Sequence, residues 1–367
     1  MLAALFSPVR YDGRVSQPGW PVPVTDYSSD LAQASMARAL DEIALAEDVG
    51  FDWVSVAEHH YAPLSLSPNP MVMAAAVAQR VKRVRIALLG SSLPIQNPVR
   101  VAEELAMLDT LTGGRVVAGM LRGTSNEYVT YGVNPAESRE RFAEALSLVL
   151  RAWTEPEPFG WLGRYYEYRT VSIWPRPVQA PHPPVLTSIS SPEMAELAAA
   201  NRLGAGLAVT SVPLARDAVA RYREAAGRHG WQPDPEQVLY RVPIHLAPTD
   251  DEAADDLAPL AAPRGPAGAL SASNAAIDEA AARAGYYGSD AAHQRARVHA
   301  AGDLGERVAA GRLLLGSPAS VLDQVRSIHG ELGAGVLEVV LASPTPDKAR
   351  RTLELFGEAV LPGIRSL

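Results

Sequence analysis

The sequence contains no cysteine among its 367 residues. This absence excludes disulfide bonds, metal sites built on thiolates and a cysteine nucleophile. The chain also lacks an apolar run long enough to span a membrane, and its first residues lack the basic region, apolar stretch and cleavage site of a signal peptide. We therefore expect a cytoplasmic protein with no membrane partner.

Charge of one sign is not concentrated anywhere in the chain. Lys and Arg number 33 against 41 Asp and Glu, for a net charge of −8, and the basic residues are scattered. A nucleic-acid partner is therefore not expected. Cofactor and catalytic motifs are missing as well: no G-x-G-x-x-G loop, Walker loop, G-x-S-x-G elbow or H-E-x-x-H is present. The sequence thus offers no nicotinamide fingerprint.

What the sequence does contain is a strict alternation of strand-like apolar runs and helices with apolar residues at helical spacing. The eight runs are Leu2–Phe6, Trp53–Ala57, Val84–Leu89, Val116–Gly119, Val185–Ser188, Leu207–Val209, Val238–Leu246 and Val336–Leu341. Eight strands, each followed by a helix, predict an α/β fold, a (β/α)8 TIM barrel with insertions, as a single domain over residues 1–367. A doubly wound sheet is the alternative, disfavoured because the first strand–helix turn has no Gly-rich phosphate loop.

Two segments interrupt the alternation. Residues 155–175 include Tyr165–Trp174, which is rich in aromatic and β-branched residues and predicts an inserted hairpin. Residues 248–311 are dominated by Ala, Gly and Pro, with few large apolar residues. We expect this second insertion, after strand seven, to form helical pieces and mobile loops that act as a lid.

Polar residues follow four of the predicted strands at their C-terminal ends, where (β/α)8 barrels place their active sites. They are Glu58, His59 and His60 after strand two, Ser91 and Ser92 after strand three, Arg122, Gly123 and Thr124 after strand four, and Ser190 and Ser191 after strand five. Together they predict a polar ligand that is held through a phosphate and faces a possible base.

The phosphate side depends on two short motifs. Arg122-Gly123-Thr124, at the start of a predicted polar loop from Arg122 to Glu137, offers a guanidinium, an approachable backbone and a hydroxyl. Ser191-Pro192 places a hydroxyl and unpaired amides at a helix start. Each motif has a plainer interpretation, because Ser-Pro commonly caps a helix and a lone arginine commonly braces a loop. Their convergence on one face of the barrel favours the phosphate site.

Glu58-His59-His60 are candidate catalytic residues rather than metal ligands. Neighbouring residues on an extended chain point to opposite sides, and no second ligand pair is present, so no metal is expected. We expect His59 to act as a general base near neutral pH, with Glu58 fixing its tautomer. The alternative is that one histidine caps a backbone group while the other is solvated.

The ordered set of motifs resembles the bacterial luciferase-like family of flavin-dependent monooxygenases. The matching residues are Gly50-Phe51-Asp52 through Glu58-His59-His60, Asn69-Pro70, Leu93-Pro94 with Asn97-Pro98-Val99-Arg100, Leu108-Asp109 through Gly113-Gly114-Arg115, and Arg122-Gly123. The resemblance is strong from Met1 to about Trp153. Beyond that it is looser and depends on Pro183-Pro184-Val185, Ser191-Pro192 and Gly316-Ser317-Pro318.

This resemblance implies a luciferase-like barrel, usually dimeric, that binds reduced FMN or, in a related branch, the deazaflavin F420. It implies that a separate flavin reductase supplies the reduced flavin, which reacts with O2 to a C4a-(hydro)peroxide that oxidises a small organic molecule. Carried onto this chain, His59 corresponds to the catalytic histidine, Arg122 and Ser191 to phosphate contacts, and Leu89–Gly90 to a non-prolyl cis peptide bond beneath the flavin.

We therefore expect a two-component, FMN-dependent monooxygenase that acts on a carbonyl-bearing or aromatic small molecule. His60, Tyr128 and Tyr131 are the candidates for its substrate pocket, although aromatic loop residues more often brace their loop. An F420-dependent oxidoreductase of the same superfamily is the second hypothesis. A flavin-binding protein without turnover is the third, and a metal-dependent barrel hydrolase is a distant fourth.

Overall fold

Eight parallel strands close into a barrel in this computed structural model, which describes residues 1–16, 20–208, 210–261 and 303–367. The barrel strands are β1 (Leu2–Ser7), β2 (Trp53–Val56), β3 (Arg85–Leu88), β5 (Val116–Leu121), β8 (Val185–Ser188), β9 (Gly204–Ala208), β10 (Val238–Leu246) and β12 (Val336–Leu341). They pair in chain order, and β12 returns to β1. The predicted (β/α)8 barrel is confirmed, and the doubly wound alternative is wrong because the ring is closed.

Helices cover the outside of the barrel, and several begin where a capping side chain precedes proline. Asn69 and Asn97, for example, each accept a backbone N–H from the first turn of the helix that they start. The described helices are α1 (Ser29–Asp48), α2 (Pro70–Arg80), α3 (Pro98–Thr112), α4 (Ser125–Tyr131), α5 (Ser138–Thr154), α6 (Pro192–Ala200), α7 (Val212–Arg228), α8 (Asp250–Ala261), α9 (Leu304–Ala309), α10 (Pro318–Leu332), α11 (Pro346–Leu355) and α12 (Leu361–Ile364).

Three local features differ from the sequence prediction. The sixth barrel strand begins at Gly204 rather than Leu207, because β9 already pairs with β8 there, with Gly204 opposite Leu186. Two short strands, β4 (Ser91–Ser92) and β11 (Leu314–Gly316), extend the sheet beside β5 and β10. The segment after β5, predicted as a loop, contains the helix α4.

The barrel interior is apolar in its centre and polar nearer the C-terminal ends of the strands. The apolar layer is formed by Ala4, Trp53, Ala87, Val117, Leu186, Leu239 and Val336. One step further along the strands, the fully buried Glu338 pairs with Arg241 and with the Ser55 hydroxyl. The Arg241 guanidinium lies over the Phe6 ring, 3.4 Å from its centroid. These side chains fill the barrel, which leaves its C-terminal mouth as the place for a ligand.

The described parts of both insertions lie outside the ring. The hairpin consists of β6 (Phe159–Leu162) and β7 (Glu167–Val171), which pair antiparallel. In the second insertion α8 and α9 are described, but the predicted loops and lid fall on residues 262–302, which lie outside the described residues. None of the helices in the described ranges is both long and apolar enough to cross a membrane.

Candidate active site

The polar side chains at the end of β2 go to different places, and Glu58 is the buried one that ties two strands together. It is 5% exposed. Its Oε2 accepts hydrogen bonds from the Ser92 backbone N–H at 2.9 Å and from Gln96 Nε2 at 3.2 Å, and its Oε1 lies 3.2 Å from His60 Nε2. Glu58 therefore joins the end of β2 to the segment that follows β3.

His60 is the buried partner of Glu58. Its side chain is 4% exposed, Trp20 Nε1 donates to its backbone carbonyl at 2.8 Å, and the Tyr131 ring meets it edge-on with centroids 5.1 Å apart. A histidine enclosed in this way packs the wall of the site. The placement of His60 in the substrate pocket stays a prediction.

His59 meets a different carboxylate. Its Nδ1 lies 3.2 Å from Glu127 Oε1, and about a third of its side chain is exposed. Within the described residues no hydrogen bond joins His59 to Glu58. His59 therefore has Glu127 rather than the expected Glu58 as its carboxylate partner, because alternation along the extended chain sends Glu58 and His59 to opposite sides.

Sequence reasoning missed Glu127, which lies in the first turn of α4. Its carboxylate accepts the Thr124 backbone N–H at 2.8 Å and also the Thr124 hydroxyl, the reciprocal arrangement of a capping box. Burial alone would raise the pKa of Glu127, but hydrogen bonds from His59 and Thr124 outweigh it and lower that pKa. The Thr-x-x-Glu spacing was the signal that marked both the helix and its buried carboxylate.

The Glu127 pair determines which His59 nitrogen is available for chemistry. An ionised carboxylate accepts hydrogen bonds only, so His59 Nδ1 carries the proton and Nε2 keeps its lone pair. This tautomer is assigned from the hydrogen-bond pattern. Nε2 is therefore in the right form to take a proton from a bound ligand, as a general base requires.

Leu89 and Gly90 form the wall beside Glu58. Leu89 is buried in the barrel interior, and a Cβ on Gly90 would stand 2.2 Å from the Glu58 backbone N. The expected cis peptide bond between them is not found, since the cis bonds of the described residues all precede proline. Contact between the ends of β2 and β3, rather than a cis bond, accounts for the glycine.

The loop after β5 is fixed by its own residues. Gly123 has a φ of +88°, in the left-handed region that favours glycine, and it lies against Ser92. Tyr128 is 1% exposed, and its hydroxyl donates to the Arg122 carbonyl. Tyr128 therefore braces the loop, and its placement in the substrate pocket stays a prediction. Tyr131, by contrast, is 51% exposed.

The N-terminus of α6 stabilises a negative charge, as the lowered pKa of Glu193 in its first turn indicates. Hydrogen bonds from its own backbone N–H and from the Ser191 hydroxyl lower the pKa of Glu193, although partial burial opposes this, and the Arg139 and Arg122 charges add to it. Arg122 from the β5 loop and the N-terminus of α6 therefore lie close enough to act on one carboxylate. Ser191 Oγ also caps the helix, accepting the Met194 N–H at 3.3 Å, so its plainer interpretation holds as well.

The residues at this mouth fit a phosphate-bearing flavin. A guanidinium, a helix N-terminus and hydroxyls converge near Arg122, and Ser190 Oγ lies 3.0 Å from Ser188 Oγ at the same strand end. Ser91 is 1% exposed, and its hydroxyl has no hydrogen-bond partner among the described residues, as expected where a ligand supplies one. Within the same residues no group of His, Asp and Glu side chains is arranged to hold a metal ion.

Comparison with known proteins places the chain among its relatives. 4-Hydroxyprotoasukamycin monooxygenase of Streptomyces nodosus subsp. asukaensis is 27% identical over 344 residues, which cover 89% of this chain and 86% of the relative. The uncharacterised protein y4wF of Sinorhizobium fredii is 32% identical over 209 residues, so that 56% of this chain spans only 60% of that relative's length. The F420-dependent glucose-6-phosphate dehydrogenase of Amycolatopsis mediterranei is 35% identical over 191 residues, or 47% of this chain and 54% of the enzyme.

Solved structures show the same barrel. Monooxygenase RslO1 from Streptomyces bottropensis has a TM-score of 0.74 at 27% identity, covering 99% of each chain. The oxygenating constituent of 3,6-diketocamphane monooxygenase from Pseudomonas putida, a type II Baeyer–Villiger monooxygenase in complex with FMN, has a TM-score of 0.75 at 21% identity, covering 99% of this chain and 98% of that one. This second likeness shows the fold alone. The family model described as luciferase-like monooxygenase matches residues 5–334, and the chain belongs to that family.

Proposed function

We propose that the protein takes reduced FMN from a separate flavin reductase and uses O2 to oxidise a small carbonyl-bearing or aromatic molecule. The observation that carries the proposal is the pair of His59 Nδ1 and Glu127 Oε1, 3.2 Å apart, at the mouth of a luciferase-like barrel. The pair prepares a base whose free nitrogen can serve a bound ligand. When bound, reduced FMN supplies the two electrons with which one oxygen atom enters the substrate and the other leaves as water.

In this proposal, different side chains at the mouth bind the phosphate, contact the flavin ring and move a proton. Arg122, Thr124, Ser190, Ser191 and the N-terminus of α6 hold the phosphate. Leu89, Gly90 and Ser91 form the wall beside the flavin ring, and Glu58 with His60 keeps that wall in place. His59 Nε2 would take a proton from the bound ligand and return it to the oxygen atom that leaves as water, while Glu127 stabilises the imidazolium in between. Tyr131, half exposed, borders the substrate side.

Anaerobic titration tests the cofactor assignment. Reduced FMN is expected to bind more tightly than reduced riboflavin, because riboflavin lacks the phosphate. Admitting O2 with a panel of ketones and arenes then identifies substrates by product formation. His59→Gln should bind reduced FMN normally and lose roughly 10²-fold or more in turnover. The matched control is His229→Gln, which removes a similar His–Glu pair, with Nε2 2.8 Å from Glu196 Oε1, on the protein surface.

A second cofactor is supported by the identity with an F420-dependent dehydrogenase over about half of the chain. Titration with reduced F420 beside reduced FMN decides between them, since the preferred cofactor binds more tightly. Bound flavin without any O2-dependent product would favour the non-catalytic hypothesis instead. The resemblance to the family also leads us to propose a homodimer, which sedimentation analysis of the purified chain measures directly.

A further inference from the structure

A second polar region lies at the mouth, on the side of β1, β10 and β12. A cavity of ≈ 210 Å³ is lined there by Arg10, Arg307, Leu257, Leu304, Pro243 and Val340, among others. Pro243 and Val340 are register partners in β10 and β12, two residues beyond the buried Arg241–Glu338 pair. The cavity therefore lies just beyond the buried Arg241–Glu338 pair, toward the C-terminal ends of the strands. Arg122 and α6 belong to β5 and β8, at the other side of the ring.

The two arginines of this cavity, Arg10 and Arg307, have no counterion in the described part of the chain. No salt bridge or side-chain hydrogen bond joins Arg10 or Arg307 to a carboxylate within residues 1–16, 20–208, 210–261 and 303–367. Burial lowers the pKa of both guanidinium groups, and the nearby charges of Arg38 and Arg312, respectively, lower them further. By surface exposure Arg10 is exposed and Arg307 is half-buried, so both guanidinium groups remain open to a ligand.

Other arginines near the mouth have their partners. Arg38 pairs with Asp12 and Glu42 at 2.7 Å each, and Arg241 pairs with Glu338. The carboxylate that acts most on Arg10 is Glu42, which Arg38 already holds. Arg10 and Arg307 differ from these two neighbours in having no carboxylate partner in the described part of the chain.

We infer that this cavity binds the carboxylate of the substrate, and that the substrate is an amphipathic organic acid. A carboxylate matches the planar fork of a guanidinium and relieves the charge of two arginines at once. The remaining walls, Leu257, Leu304 and Val340, are apolar and suit a hydrocarbon or aromatic body. The inference rests on the proposed function, because the body of the acid extends across the mouth toward the flavin side.

Binding to the flavin-free full chain tests the inference without turnover. Calorimetry compares phenylacetate with phenylacetamide and hexanoate with hexanamide, pairs that differ in charge but hardly in shape. At low ionic strength we expect at least one acid to bind about tenfold or more tightly than its amide, and salt to reduce the difference. The double variant Arg10→Gln/Arg307→Gln should lose the preference. Arg326→Gln, which alters an exposed arginine paired with Asp323 on α10, should keep it.

Three outcomes would overturn the inference. The first is that neither acid binds more tightly than its amide to the unmodified chain, a result that needs no variant to fold. The second is an acid preference that survives in the double variant. The third is loss of the preference for reduced FMN over riboflavin in that variant, since the cavity would then hold the cofactor phosphate. The first two outcomes leave the flavin proposal standing, and failure of flavin binding leaves the acid comparison intact.

Discussion

His59 and His60 are adjacent in sequence, yet they have different roles. His60 is enclosed with Glu58 in the wall, whereas His59 reaches Glu127 and stays partly open. The sequence predicted that at most two of Glu58, His59 and His60 would face the site, because side chains alternate along an extended chain, and both histidines were candidates. It was not sufficient to identify the partner, since Glu127 reaches His59 only through the fold.

Replacing Glu127 by Gln tests the partner assignment. The amide accepts less strongly and can also donate, so both His59 tautomers become populated, and the imidazolium loses its countercharge. We expect turnover to fall by roughly a hundredfold with little change in flavin affinity, measured by steady-state kinetics and anaerobic titration. The matched control is Glu196→Gln, which disturbs the exposed pair with His229. An unchanged turnover in Glu127→Gln would show that His59 needs no orienting carboxylate.

Gly90→Ala probes the contact between β2 and β3. The added Cβ would stand 2.2 Å from Glu58 N and 2.6 Å from the Ala57 carbonyl carbon, both backbone atoms that cannot rotate away. We expect a loss of roughly 2–4 kcal/mol in the free energy of unfolding, measured by urea denaturation. Gly330→Ala is the control, because nothing lies within 4 Å of its Cβ position in α10. That variant should be neutral or about 0.5–1 kcal/mol more stable.

Strands and caps were the predictable elements, because each depends on neighbours in sequence. The Val185–Ser188, Val238–Leu246 and Val336–Leu341 strands have the predicted ends. Glycine-rich β9 was placed too late, since glycine has low strand propensity and its pairing depends on contact with Leu186. The prediction of a cis bond at Gly90 was wrong for a related reason. A glycine in the sequence indicates that space is limited there, but it does not identify the neighbouring atoms.

Glu47 illustrates how one helix fixes a distant strand. Its carboxylate, near the end of α1, accepts backbone N–H groups of Lys82 at 2.9 Å, Arg83 at 2.6 Å and Val84 at 3.0 Å, just before β3. We expect Glu47→Gln to lower the free energy of unfolding at neutral pH by about 2–3 kcal/mol. The exposed neighbour Asp48→Asn is the control.

The pH dependence of the Glu47 effect follows from the same contacts. Burial alone would raise the pKa of Glu47, but the three backbone hydrogen bonds outweigh it and lower the pKa below 4.5. Because the pKa of Glu47 is lower in the folded chain than in the unfolded chain, its ionised carboxylate stabilises the fold at a pH above the unfolded-state pKa. This stabilisation is lost as the pH falls through the folded-state pKa. The difference between Glu47→Gln and the unmodified chain should therefore shrink in acid. A constant difference from pH 7 to about pH 3 would contradict the assignment.

On the scale of the whole molecule, much of the family resemblance lies away from the site. Buried Asp109 accepts the Val178 and Gln179 backbone N–H groups at 2.8 and 3.0 Å, and Arg115 donates to the Val84 carbonyl at 2.9 Å and the Val81 carbonyl at 3.2 Å. These contacts hold helices and strands together near the N-terminal ends of the strands. The motifs therefore predicted the barrel better than the details of the site, which depend on pairs such as His59–Glu127.

Stability should fall in mild acid because of His245, which packs β10 against α8 and α11. His245 is 1% exposed, with Nδ1 2.8 Å from Ser343 Oγ and Nε2 3.0 Å from Asp256 Oδ2. Burial outweighs the attraction of Asp256 and, together with the Lys348 charge, lowers the pKa of His245 below 6.5. The unfolded chain then binds a proton that the folded chain does not. The contribution of His245 to the free energy of unfolding is therefore complete above about pH 6.5. Below that pH it decreases by at most about 1.4 kcal/mol per pH unit.

Urea denaturation between pH 7.5 and pH 5 measures this loss, and His245→Gln identifies its source. The variant should be less stable at pH 7.5, because Gln cannot reproduce both hydrogen bonds, but its stability should depend less on pH. The exposed His229→Gln serves as the control and should keep the full pH dependence. Equal slopes for His245→Gln and the unmodified chain would assign the acid sensitivity to other groups.

The alternation at β2 also determines which kinds of genetic change the site tolerates. The strand Trp53–Val56 is only four residues long and pairs with strands on both sides, so it cannot shift its register to compensate for a lost or added residue. A one-codon deletion there would shift the following residues by one position and turn each side chain to the opposite face. His60 would then point toward Glu127, and Glu58 would lose the buried position from which it holds Ser92. We expect insertions and deletions in this strand to be far more damaging than substitutions at His59 itself.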